Sequence, residues 1–188
     1  MKIERVWAMP SKDTFQIKPI AELLKRYGVG KNWLDPFAGN YSMAEVTNDL
    51  NPATKAQYHE DAKKFLEHYS GKLADGVLFD PPYSLRQIIE CYDGFGMTVD
   101  KKWATTKFYT DVKNLLAELV RPGGTAISFG WNSIGLGKKR GFEIIEILLV
   151  SHGRLHNDTI CTVESKNLTS RLSSRREDKL KSYKDYGQ

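Results

Sequence analysis

Val77-Leu78-Phe79-Asp80-Pro81-Pro82-Tyr83 carries most of what the sequence says about architecture. Three apolar residues in a row read as a short buried strand. Two prolines then stop it, because neither can donate to a sheet ladder. Asp80 and Tyr83 therefore stand at the C-terminal end of a strand, where open α/β sheets bind ligands. Working outward, residues 32–35 read as another strand ending on an Asp-Pro step, Asp35-Pro36, and residues 45–49 as a third. Residues 125–129, 143–150 and 159–164 add three more. Helical spacing marks 19–27, 53–69 and 107–120, with Gly28, Ser70-Gly71 and Arg121-Pro122-Gly123-Gly124 as stops. Strands alternating with helices predict an α/β fold with a mainly parallel sheet. Asp35 and Asp49 are too close in sequence for a full crossover helix between their strands, so the first crossover is expected to be shortened or missing.

The residue types at the strand ends point to chemistry on a planar amine. An aspartate and a proline carbonyl together accept both hydrogens of an exocyclic amino group. A tyrosine ring beside them offers a base a stacking face. In Asp35-Pro36-Phe37-Ala38-Gly39-Asn40, Gly39 lets backbone approach a cofactor closely. Asp49 ends the next strand, where an acid binds the two hydroxyls of a ribose. It equally suits an Asx turn before Pro52. Asp61, next to Ala62, suits an adenine amino group or a solvated helix face.

Composition bounds the rest. The chain has 188 residues, 40% apolar and 27% charged, which suits a soluble globular protein. A chain of this size buries about 70% of its unfolded surface, enough for a core without disulfides or metal. Two lone cysteines, Cys91 and Cys161, make no disulfide framework and are read as packing residues in a cytoplasmic protein. No apolar run is long enough to span a membrane, and no metal site is indicated; His152 and His156, four apart, lie off any predicted helix. The net charge is +5, and from residue 166 to the end seven bases oppose three acids, leaving +4 in that stretch. A catalytic body over 1–165 and a basic tail over 166–188 follow, with a polyanion as the expected partner.

Together these motifs resemble the S-adenosylmethionine-dependent amino-methyltransferases of DNA, over most of residues 7–165 and most closely the small phage and prophage N6-adenine enzymes. The match rests on Asp35 to Gly39, on Asp80 to Tyr83, on Lys18-Pro19-Ile20-Ala21-Glu22-Leu23-Leu24 ahead of the cofactor strand, on the Trp7-Ala8-Met9-Pro10 start, and on Phe129-Gly130-Trp131-Asn132-Ser133. The resemblance implies a Rossmann-like class I methyltransferase fold with a seven-stranded-type sheet flanked by helices. It implies S-adenosyl-L-methionine as cofactor, held by Phe15, Lys18, Pro19, Asp35, Pro36, Phe37, Ala38, Gly39, Asp49, Leu50, Asp61 and Ala62. Asp80, Pro81, Pro82 and Tyr83 become the catalytic set, and N6 of adenine in DNA the methyl acceptor. The family's second signature glycine is replaced by Tyr41.

Larger enzymes of the family carry a separate target-reading domain; here only residues 84–106 and the basic tail could serve, so a short or relaxed sequence preference is expected. Residues 84–106 fit neither period and read as a lid or target loop. Arg86 and Trp103 in that loop, Lys138-Lys139-Arg140, and Arg171, Arg175 and Arg176 in the tail are the expected nucleic-acid contacts, with Trp103 as a wedge or an anchor. Two other readings stay open. One is an RNA base methyltransferase, such as the ribosomal guanine-N2 class, which shares an Asp-Pro-Pro-aromatic motif. The other is a weakly catalytic module that binds cofactor or nucleic acid through a partner, favoured by Tyr41 and the short crossover.

Overall fold

The computed structural model describes residues 1–98, 100–153 and 156–169; Arg171, Arg175 and Arg176 lie outside them. Seven strands form one sheet: β1 (Lys2–Trp7), β2 (Trp33–Asp35), β3 (Val46–Thr47), β4 (Ala74–Phe79), β5 (Val120–Gly130), β6 (Phe142–Ser151) and β7 (Thr159–Lys166). Their order is β1-β6-β7-β5-β4-β2-β3. Every pairing is parallel except those of β7, which runs antiparallel to β5 and β6. The chain leaves β2 for β3 on one side and returns as β4 on the other. The C-terminal ends of β2 and β4 thus meet at a topological switch point, the place in such sheets where a ligand crevice opens.

The described residues hold five helices: α1 (Lys18–Arg26), α2 (Ala62–His68), α3 (Leu85–Gly94), α4 (Lys101–Thr106) and α5 (Phe108–Leu119). Pro19 opens α1, where a missing N–H costs nothing. Ile20, Leu23 and Leu24 of α1 are buried against Ile127, Phe129, Leu148, Val150, Cys161 and Val163. On the opposite face Phe65 and Leu66 of α2 and Val112 and Leu116 of α5 cover Leu34, Val77 and Phe79. A third cluster, Ile88, Tyr92, Ala104 and Phe108, joins α3, α4 and α5 over the strand ends. Among the described residues no helix is long and apolar enough to cross a membrane.

Several expectations need correction. Residues 53–61 are not helical: α2 begins at Ala62, capped by the Asp61 carboxylate, which accepts from Lys64 N at 3.0 Å. The preceding chain instead runs beside β3, with Tyr58 bridging Asn48. Residues 84–106 are not an irregular loop but mostly α3 and α4, with Ser84 and Asp100 as their N-caps. Arg121-Pro122-Gly123-Gly124 does not simply stop α5. It lies within β5 and forms the irregularity between the Ala74–Val120 and Gly76–Thr125 pairs. A Cβ on Gly124 would meet the Asp75 carbonyl oxygen at 2.9 Å, so this turn needs a glycine there. β1 was not expected at all. Lys166 is no solvated tail cation: it ends β7, buried, and donates to the carbonyls of Ala117 and Val120 at 2.7 and 2.8 Å. Between β2 and β3 there is no helix, as the short spacing required.

Candidate active site

Asp35 is fully buried at the end of β2 and organises the loop that follows. Its carboxylate accepts from Phe37 N at 2.9 Å and from the Ser42 hydroxyl at 2.7 Å. Burial pushes its pKa up to about 7, against the pull of those two bonds; Asp80 and Asp49 nearby add to the rise. Gly39 then turns with φ of +52°, and its N–H donates to Asp49 Oδ2 at 2.8 Å. A Cβ there would face open space, so the glycine serves the backbone turn. Asp49 Oδ1 accepts from Asn51 N at 2.8 Å. The Asx turn is therefore present, and Asp49, each oxygen of which accepts one backbone N–H, also lines a cavity.

Asn48 is the residue that ties these loops together, and no motif had marked it. It is fully buried; its side chain donates to the carbonyls of Pro36 and Glu60 and accepts from Glu60 N at 3.0 Å. Its backbone joins Asp35 and Ala38. A buried amide with its donors and acceptor satisfied holds two loops in one arrangement.

β4 delivers Asp80 to the crevice. Asp80 Oδ1 accepts from the Tyr83 hydroxyl at 2.5 Å, and Thr14 offers the carboxyl a second hydroxyl. Burial raises the Asp80 pKa, while those two bonds lower it. Burial, then the adjacent Asp80 charge, pushes the Tyr83 phenol far up, so it stays a donor. Both ends of the turn are tied: Tyr83 N donates to Gln87 Oε1 at 2.7 Å, and the Tyr109 hydroxyl donates to the Pro82 carbonyl at 2.6 Å.

Two cavities flank this turn. The larger, about 460 Å³, touches Ile17, Phe37, Asp49, Leu50, Ala62 and Asp80, and continues toward Gly39 in a lobe of about 130 Å³. The other, about 240 Å³, lies against Pro81, Tyr83, Tyr109, Ser128, Trp131 and Ile134. Pro81 and Tyr83 line both and so form the wall between them. The Ser128 hydroxyl is buried beside the smaller cavity with no partner among the described residues.

Of the residues expected at a cofactor, the structure brings Pro36, Phe37, Ala38, Gly39, Asp49, Leu50, Ala62 and Phe15 to the larger cavity or its lobe. Lys18 and Pro19 open α1 and line neither; Ile17 before them does. Asp61 lines neither either: Oδ1 caps α2, and Oδ2 accepts from the Tyr92 hydroxyl of α3. Thr14, Lys12, Cys91 and Tyr92, which do line the cavity, were missed as site residues. Trp103 is an anchor rather than a wedge, half-buried against Phe108 and donating to Asp111 Oδ2 at 2.9 Å. Arg86 is exposed but paired with Glu90 at 2.7 Å. Lys138 and Lys139 are exposed, whereas Arg140 donates to the Leu136 carbonyl and to Asn114 Oδ1, both at 2.7 Å. His152 Nδ1–H donates to the Ala8 carbonyl at 2.9 Å, and its Nε2 pairs with the Thr159 hydroxyl at 3.0 Å; no metal-holding cluster exists among the described residues.

No protein-family model matches the sequence, and no curated protein does. Solved structures do match the fold. TrmN from Thermus thermophilus is 18% identical, with a TM-score of 0.51 over 80% of this chain. The match covers 49% of TrmN, so this chain spans about half its length. N-methyltransferase NodS from Bradyrhizobium japonicum WM9, in complex with S-adenosyl-L-homocysteine, is 10% identical over 83% of this chain and 89% of its own, with a TM-score of 0.49. The fold is that of the Rossmann-like class I methyltransferases.

Proposed function

We propose that the chain is an S-adenosylmethionine-dependent methyltransferase acting on the exocyclic N6 of adenine in DNA. The observation that carries this is the Asp80-Pro81-Pro82-Tyr83 turn at the switch point: Pro81 and Tyr83 stand between a cofactor-sized cavity and a base-sized one, and Asp80 lines the cofactor-sized side. The larger cavity, about 460 Å³, lies within the range that encloses a nucleoside-bearing ligand. Its donor set fits S-adenosylmethionine. Asp49 would take the ribose hydroxyls, the Gly39 loop would lie along the methionine part, and Phe37, Leu50 and Ala62 would cover the purine. Bound there, the cofactor supplies a sulfonium-activated methyl group.

The chain's own residues do the remaining work. Asp80 and the Pro81 carbonyl accept the two hydrogens of the target amine and aim its lone pair across the wall. In this arrangement the Tyr83 and Thr14 hydroxyls both bond the Asp80 carboxyl, so the incoming amine shares its oxygens with them or displaces one of them. Tyr83 and Trp131, whose rings meet edge to face with centroids 5.6 Å apart, offer aromatic surface to a base, worth ~1–3 kcal/mol. Tyr109 and Gln87 hold the turn in register, so positioning rather than strong base chemistry supplies the rate. The exposed bases Lys138 and Lys139, with those after residue 169, would meet phosphates.

The test is transfer of labelled methyl from S-adenosylmethionine to double-stranded DNA, single-stranded DNA and ribosomal RNA. Label in DNA is the expected result. Label confined to RNA would move the substrate to an RNA base. No transfer to any of them, with cofactor bound, would make the chain a binding module.

A further inference from the structure

We infer that the loop between β5 and the 3-10 turn at Lys138–Arg140 is a wedge, with Ile134 entering the base stack of a DNA duplex beside an extruded nucleotide. The inference rests on the methyltransferase reading for its purpose, but its observations are separate.

Ile134 is 67% exposed and Trp131 46% exposed, two large apolar side chains in one short loop. Nothing in the core uses Ile134. Yet the loop beneath it is built at considerable cost. Glu164, buried on β7, accepts Leu136 N at 2.6 Å and Gly137 N at 2.9 Å. A carboxylate is expensive to bury and is retained where its bonds fix a particular geometry. Gly135 sits directly on that carboxylate: a Cβ there would lie 2.2 Å from Glu164 Oε2, and its φ is +59°. Leu136 is buried, its carbonyl is held by Arg140, and Asn132 Oδ1 accepts from Ile134 N at 3.1 Å. The loop is thus a stiff support for an exposed apolar tip.

Its position gives the tip an occupant. Ile134 and Trp131 both line the smaller cavity, on the side of the Asp80–Tyr83 turn away from the larger one. Lys138 and Lys139, exposed four and five residues beyond Ile134, suit a phosphate backbone. A base leaving the stack for that cavity vacates a gap beside the cavity mouth, and apolar side chains inserted at base steps fill such gaps. Trp103, the wedge candidate of the 84–106 segment, is packed against Phe108 and held by Asp111.

The test compares the full chain with Ile134→Ala and with Ile134→Leu, which keeps bulk. The first readout is the ratio of methyl transfer to duplex over transfer to single-stranded DNA. The second is the linking-number change left in a closed circular plasmid relaxed by topoisomerase with the protein bound, which needs no catalysis. We expect the ratio to fall about tenfold in Ile134→Ala and the plasmid unwinding to vanish, with Ile134→Leu close to wild type on both. An unchanged ratio, or a wild-type protein that binds plasmid without unwinding it, overturns the wedge and leaves the methyltransferase reading intact. Unwinding that depends on Ile134, in a protein that transfers methyl to no nucleic acid, supports the wedge and overturns the reading of Asp80.

Discussion

At the residue scale the account turns on two aspartates with different duties, Asp35 fully buried and Asp80 half-buried. Asp80 faces the crevice and Asp35 faces the loop behind it, and each has a distinct signature. In the proposed reaction Asp80→Ala removes the amine acceptor without touching the larger cavity's other walls. Methyl transfer should fall by ~10²-fold or more, while cofactor affinity measured by calorimetry changes little. Asp35 should speak through stability. Its pKa is raised to about 7, so the folded state holds its proton more tightly than the unfolded chain. That contribution is complete below the unfolded value of ~4 and is lost as pH rises through about 7. Asp35→Asn has no such proton to lose. Urea unfolding at pH 4.5, 6 and 7.5 should show the wild type losing stability relative to the variant, by a few kcal/mol in order of magnitude. Parallel curves would mean that Asp35 is not protonated in the fold.

At the scale of elements, α3 is fastened to the start of α2 by the Tyr92 hydroxyl on Asp61, and to α4 and α5 by the cluster of Ile88, Tyr92, Ala104 and Phe108. Tyr92→Phe keeps the ring and deletes the bond. It should cost ~1 kcal/mol of stability and raise the cofactor KM, because Tyr92 also lines the larger cavity. A thermal melt and a KM determination check both halves. This element also shows where the sequence was readable and where it was not. Asp-Pro steps after apolar runs marked the ends of β2 and β4, since proline both stops a strand and stands where ligands bind. The short β2–β3 spacing disclosed the missing helix. By contrast, 84–106 carries two short capped helices whose apolar residues pack on one another and on α5 rather than on the sheet, so no long period betrays them. Residues 53–61 have helix-compatible side chains, but Asn48 takes their backbone instead by bonding Glu60. Asp61 was recognisable as a helix cap; that Tyr92 would claim its other oxygen depends on tertiary packing, which spacing does not encode. β1 alternates exposed and half-buried residues at the sheet's edge, a weak pattern over six residues.

For the whole molecule, charge is the leading quantity. The described body holds its buried charges in pairs or on backbone groups, as with Glu146, which Lys2, Arg26 and Tyr27 surround. Excess base lies late in the sequence, in Arg171, Arg175, Arg176, Lys179, Lys181 and Lys184. Ending the chain after Thr169 should leave the fold intact and weaken DNA binding. It should also flatten the plot of log K against log salt, by about 0.9 for each lost phosphate contact. An unchanged slope would remove the tail from the interface. The central claim, however, concerns which atom receives the methyl group. The most direct measurement is nucleoside mass spectrometry of DNA from cells expressing the wild type or Asp80→Ala, in a host without adenine methylation of its own. The account predicts N6-methyldeoxyadenosine in the first and none in the second. Its absence from both, or its persistence in the variant, would contradict the assignment of Asp80 and of the reaction.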